Sequence, residues 1–135
     1  FGQHSGVIDV NKDKFELPRF PINEKYGELK RFKSIINYYP LEYKKLSPIE
    51  KQLSKINNPP KFEVEFFKEQ KNLNNITCYS NEKNIWKKSN TYYSNQILTI
   101  EFRGPFDPRR GRINCSLNDN GKWRWFGVQF PIKNN

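Results

Sequence analysis

The sequence predicts a mainly β chain, in which a short helical segment precedes a small antiparallel β-sandwich. Three observations carry this expectation. From Phe62 onward, short strand-like pieces follow one another, separated by turn residues. Asn118-Asp119-Asn120-Gly121 is a hairpin signal between the last two of them. The chain is only 35% hydrophobic but 16% aromatic. Chains that stay disordered are poor in aromatic residues, and each ring buries a large area, so Phe, Tyr and Trp can build a thin but adequate core.

Taken in order, Phe1 to Gly6 reads as the end of a strand running into a loop. Phe15 to Phe20 is extended, because Pro18 and Pro21 disfavour helix in the residues before them. Asn23 offers an N-cap, with Tyr26, Leu29, Phe32 and Ile36 at helical spacing behind it. Glu24 and Glu28 fall in the early turns and Lys30, Arg31 and Lys33 in the later ones, an order that suits the helix dipole. Pro40 is expected to stop the helix. Residues 41–60 read as a linker in which Ser47-Pro48 starts one further helical turn and Asn57-Asn58-Pro59-Pro60 is a breaker. The expected division is therefore 1–58 and 59–135. In the second part Phe62, Val64 and Phe66 alternate with Glu63 and Glu65, and strands are expected over 76–80, 85–88, 97–102, 112–116 and 123–132.

The formal net charge is +10. Such a balance favours anionic partners such as acidic glycans, nucleic acid or a membrane surface. The basic residues are spread along the chain, with Arg109-Arg110-Gly111-Arg112 the only tight cluster, so a solvated basic surface is the simpler expectation and nucleic acid is not favoured. No apolar run approaches the ~20 residues that span a bilayer. The chain opens on Phe1-Gly2-Gln3-His4 without a signal peptide, and is expected to begin inside a longer protein.

Cys78 and Cys115 both fall inside expected strands. In a small sandwich two such cysteines can face each other across the core, with Cα atoms about 5.5–6 Å apart when bridged. The other reading is a pair of buried free thiols. The bridge is the one expected, and it implies an oxidising, extracytoplasmic compartment. No Cys-x-x-Cys and no Cys/His cluster is present, so no metal site is expected in this chain.

Chemistry-bearing residues are few. His4 is the only histidine, and neither an Asp-rich cluster nor a Gly-rich phosphate loop accompanies it. Lys122-Trp123-Arg124-Trp125-Phe126 alternates basic and aromatic residues. On a strand Trp123 and Trp125 share one face, and Lys122, Arg124 and Phe126 the other. One reading is stacking of sugars or bases on exposed rings. The reading expected here is structural: a core-facing tryptophan pair with the basic residues outside.

Two stretches carry a resemblance. Phe1-Gly2-Gln3-His4-Ser5-Gly6, Leu17-Pro18-Arg19-Phe20-Pro21 and Tyr26-Gly27-Glu28-Leu29-Lys30-Arg31-Phe32 together resemble the last part of a bacterial polysaccharide deacetylase catalytic domain, of the NodB-homology, carbohydrate esterase family 4 type. Asn75-Ile76-Thr77-Cys78-Tyr79, Gly111-Arg112-Ile113-Asn114-Cys115 and Trp123-Arg124-Trp125-Phe126 resemble the small domain that follows the barrel in some of these proteins. The resemblance implies that residues 1–58 hold the last strand and helix of a (β/α) barrel plus a linker. It implies a parent enzyme that removes acetyl groups from N-acetylated cell-wall or secreted glycans with a divalent metal, usually zinc, that activates water. His4 is then the candidate general acid for the leaving amine, at a strand end where barrel enzymes keep catalysts. The family's Asp-Asp pair, His-x-x-x-His pair and Arg-x-Pro-Tyr motif have no counterpart in this sequence. The segment is therefore expected to hold no metal and to be inactive by itself. The competing expectation is a stand-alone basic β-sandwich module that binds an anionic glycan or nucleic acid.

Overall fold

The computed structural model describes residues 19–20, 29–83 and 85–133. Within them lie one α-helix, α1 (Leu29–Ile35), a single 3-10 turn (Leu73–Asn75) and the strands β1 (Tyr39–Pro40), β2 (Lys45–Ser47), β3 (Phe62–Glu65), β4 (Thr77–Glu82), β5 (Ile85–Lys88), β6 (Asn90–Ser94), β7 (Ile97–Glu101), β8 (Arg110–Asp119) and β9 (Lys122–Pro131). The chain is mainly β, as expected. The strands form two sheets, one five-stranded in the order β1-β9-β8-β4-β5 and one four-stranded in the order β2-β3-β7-β6. Every pairing is antiparallel except β1 with β9.

The two long strands follow from strict alternation. In β8 Gly111, Ile113, Cys115 and Leu117 are buried, and the residues between them are not. Asp119 pairs with Lys122, which leaves Asn120-Gly121 as a two-residue loop. Both loop residues have positive φ, 52° and 89°, the conformation that this hairpin turn requires and that Asn and Gly tolerate. The Asn118 side chain closes the turn by accepting a hydrogen bond from the Gly121 amide at 2.8 Å.

One hydrophobic cluster draws on both sheets: Phe62 and Val64 of β3, Leu98 and Ile100 of β7, Cys78 of β4, Ile113 and Leu117 of β8, and Phe126, Val128 and Phe130 of β9. Its rings meet edge to face, with Phe62 and Phe130 centroids 5.4 Å apart, while Phe106 stacks on Phe130 at 5.8 Å. Gly111 matters to this packing, because a Cβ there would collide with the Phe106 ring. Gly111→Ala is therefore expected to destabilise the fold by about 1–3 kcal/mol, the usual cost of overpacking, read as a lowered urea midpoint.

The cysteines are bridged, as expected, but not across the core. Cys78 and Cys115 are direct cross-strand partners within one sheet, their Cα atoms 4.1 Å apart. The spacing is that of the closer kind of antiparallel pair, not of strands in facing sheets.

Three other expectations are corrected. Residues 41–60 do not form a free linker. The Leu41 amide donates to the Trp125 carbonyl and the Lys44 amide to the Glu65 carbonyl, and Leu53 bridges to Ile132 of the segment after β9. Leu41 and Leu53 are buried, and this burial holds a segment that has no regular periodicity. Ser47-Pro48 closes β2 and starts no helical turn. Finally, α1 ends at Ile35, well before Pro40, which lies in β1. Its end is made by tightened bonds, Asn37 N to Ser34 O and Tyr38 N to Ile35 O, and by the Asn37 side chain donating to the Lys33 carbonyl. Residues 21–28, with the expected N-cap Asn23, lie outside the described residues.

Candidate functional site

Because Phe126, Val128 and Phe130 point into the core, the period-two alternation of β9 turns Trp123 and Trp125 outward. The expected core-facing tryptophan pair is thus reversed. A strand buries whichever alternate set is the longer apolar run, and the three buried residues outnumber the two indoles. Trp123 is 42% exposed. Trp125 lies under a small aromatic cap, with Tyr38 stacked on it at 5.2 Å and Phe20 set edge-on at 5.5 Å.

Strand β1 brings this cap into place. Tyr39 pairs with Arg124 and Pro40 with Trp125, so α1, just before β1, sits beside the β8–β9 turn. Between them lies a groove of ≈ 400 Å³, lined by Lys30, Lys33, Ser34, Asn37, Tyr38, Gly121 and Trp123. Among the described residues no ion pair engages Lys30 or Lys33. Lys122 Nζ stands 5.6 Å from the centre of the Tyr39 ring, a further cation at the same end of the sheet. Arg124 is occupied by Asp119 at 3.3 Å. The Trp123 and Tyr38 rings and two ammonium groups thus share one open groove.

The outward face continues across β8, β4 and β5. The disulfide points inward, so its neighbours Tyr79 and Asn114, which pair with each other, point outward, as does Trp86 beside Asn81. Tyr79 and Trp86 are 43% and 44% exposed. Arg112 Cζ lies 5.2 Å from the Trp86 ring centre. Burial first, and the nearby charge of Arg110 second, lower the Arg112 pKa from its usual value, with Asp107 opposing. Arg112 Nε, Asn114 Oδ1 and Trp125 Nε1 are buried polar atoms without a hydrogen-bond partner among the described residues, and all three belong to this face.

Two other features are less promising. Glu82 is buried, but its Oε1 accepts from Ser80 Oγ at 3.1 Å and from the Arg103 amide at 3.2 Å, and Lys87 Nζ stands 3.8 Å from its Oε2, ties that are structural. A recess of ≈ 330 Å³ beside Phe106 and Ile132 is mainly apolar, with Lys55 and Lys83 at its rim. His4 lies outside the described residues. Among the described residues no three His, Cys, Asp or Glu side chains gather into a metal-holding group, and no helix is long and apolar enough to cross a membrane.

Sequence reasoning singled out Trp123 and Trp125 but missed Lys30, Lys33, Tyr38 and the Arg112–Trp86 contact. The basic-aromatic alternation around Trp123 was the signal available. Nothing local says that α1 lies beside it. No known protein family, curated protein or solved structure matches this chain.

Proposed function

We propose that the chain is a basic β-sandwich module that binds an anionic polysaccharide in an extracytoplasmic compartment. The observation that carries this reading is the groove between α1 and the β8–β9 turn, where the exposed Trp123 ring and the half-buried Tyr38 ring stand beside Lys30 and Lys33. An indole or phenol ring offers its face to the apolar face of a sugar, and ammonium groups attract its anionic substituents. Neutral hydrogen-bonding side chains, among them Asn114, Ser116 and Asn118, lie on the same face, which suits hydroxyl-rich partners better than a phosphate track. The disulfide supports an oxidising location.

Isothermal titration with oligogalacturonate tests this. Trp123→Ala is expected to weaken binding by roughly 5- to 150-fold, the scale of one lost stacking contact. Added salt is expected to weaken it further. Tighter binding of a single-stranded oligonucleotide than of any acidic oligosaccharide would refute the reading.

A second reading is favoured by one observation. Leu29 and Phe32 on α1 and Ile36 just after it form an apolar stripe and are 65%, 41% and 62% exposed. A helix that packs on a neighbouring catalytic domain presents such a stripe. In this reading the chain is the C-terminal portion of a zinc-dependent polysaccharide deacetylase. The segment alone then releases no acetate from chitooligosaccharides with added zinc, and His4→Ala in the longer enzyme lowers kcat by roughly 10²–10⁴-fold, as loss of a general acid does. Unimpaired turnover of that variant removes His4 from the mechanism.

A further inference from the structure

The described face holds two groups of a kind that native proteins rarely leave unsatisfied. Among the described residues Arg112 Nε is a buried donor without an acceptor, and Asn114 Oδ1 is a buried acceptor without a donor. They stand two residues apart on β8, hence on the same outward face. Exposed rings flank them: Tyr79 is the cross-strand partner of Asn114, and Trp86 lies 5.2 Å from the Arg112 guanidinium carbon. Arg110 occupies the next outward position of the strand.

The backbone here is held firmly. The Asn81 side chain donates to the Arg110 carbonyl at 3.0 Å and accepts from the Arg112 amide, at 2.6 Å. A side chain of β4 thereby extends the strand pairing to the two arginines, and fixes where their guanidinium groups emerge. Among the described residues the carboxylate of Asp107 favours the Arg112 cation, and the like charge of Arg110 disfavours it.

We infer that Arg112, Arg110, Asn114, Tyr79 and Trp86 form a second subsite, which takes the carboxylate of a hexuronate residue of the bound glycan. The guanidinium fork matches a carboxylate in two parallel hydrogen bonds. The Asn114 side chain turns outward on the same face so that Oδ1 accepts from a ring hydroxyl. The exposed rings of Tyr79 and Trp86 bound the sugar on either side. A bound anion offsets the burial and the like-charge repulsion that disfavour the Arg112 cation. The inference rests on the glycan-binding reading, because it names the class of sugar that the same sheet face selects.

The test compares oligogalacturonate with its methyl ester, which keeps the rings and removes the charge. The wild-type chain is expected to prefer the acid by at least about tenfold, and Arg112→Gln to abolish that preference, with a Kd for the acid raised roughly 10- to 100-fold, the scale of a lost charge-assisted hydrogen bond. Arg112→Lys, which keeps the charge but loses the fork, is expected to recover only a small part. Should the Arg112 variants fail to fold, the wild-type chain still decides: the indole N–H resonance of Trp86 must shift on adding the acid and stay in place with the ester. Unchanged acid preference in Arg112→Gln, with Trp123→Ala still weakened, overturns the subsite and leaves the groove reading standing. Loss of preference in Arg112→Gln with unaltered binding by Trp123→Ala does the reverse. Oligogalacturonate that does not bind the wild-type chain overturns both.

Discussion

Replacing both cysteines by alanine, Cys78→Ala with Cys115→Ala, is expected to lower the unfolding free energy by about 4 kcal/mol on the chain-entropy estimate for the loop closed. The bridge spans 37 positions of sequence. Without it the unfolded chain regains the freedom of that loop, which includes all of β5, β6 and β7. Small domains have typical stabilities of only about 5–15 kcal/mol, so the loss is a large share of the whole. Both residues are fully buried, and the smaller alanines also leave unfilled space between β4 and β8. Guanidinium titration of the variant beside the wild-type chain checks this. A midpoint that does not move would show that the cross-strand pairing of β4 and β8 holds without the bond.

Phe130→Ala is the second large effect, with an expected loss of about 3–5 kcal/mol. Phe130 has no exposed surface and lies opposite Gly111 on β8. It stacks with Phe106 and meets Phe62 edge-on, so its ring joins the five-stranded sheet to β3 and to the loop before β8. No neighbour can collapse into the space without moving another ring. Phe130→Leu is expected to cost less, because most of the volume is kept. Trp123→Ala supplies the contrast: its side chain lies on the outward face, and its stability is expected within about 0.5 kcal/mol of wild type. Thermal unfolding of the three variants separates them. A Trp123→Ala loss as large as that of Phe130→Ala would mean that the indole belongs to the core after all.

Much of the strand content was legible because burial imposes a period of two. The stretch 112–116 lies wholly within β8, and 85–88 and 97–102 match β5 and β7 to within a residue. The turn at Asn120-Gly121 was legible for the same kind of local reason, since few residue pairs accept two positive φ angles in succession. Strand β6 was not expected. None of its residues is buried, as fits a strand at the edge of its sheet, so no apolar alternation marks it. Its turn, Asn95-Gln96, also takes two positive φ angles, but Gln is a weak signal for them. Strands β1 and β2 were too short to leave a pattern, and Leu41 and Leu53 are buried at positions that no period predicts.

By itself the sequence determined what is local: the mainly β character, the β8–β9 hairpin, a ring-built core and the candidate cysteine pair. Tertiary structure alone decided three things. It set Cys78 opposite Cys115 on neighbouring strands of one sheet, because register depends on which strands meet. It turned Trp123 and Trp125 outward, because alternation defines two sets of side chains in β9 but only packing against the second sheet selects the set to bury. It brought Lys30, Lys33 and Tyr38 to Trp123 by pairing β1 alongside β9, a contact between segments distant in the chain that no local property encodes.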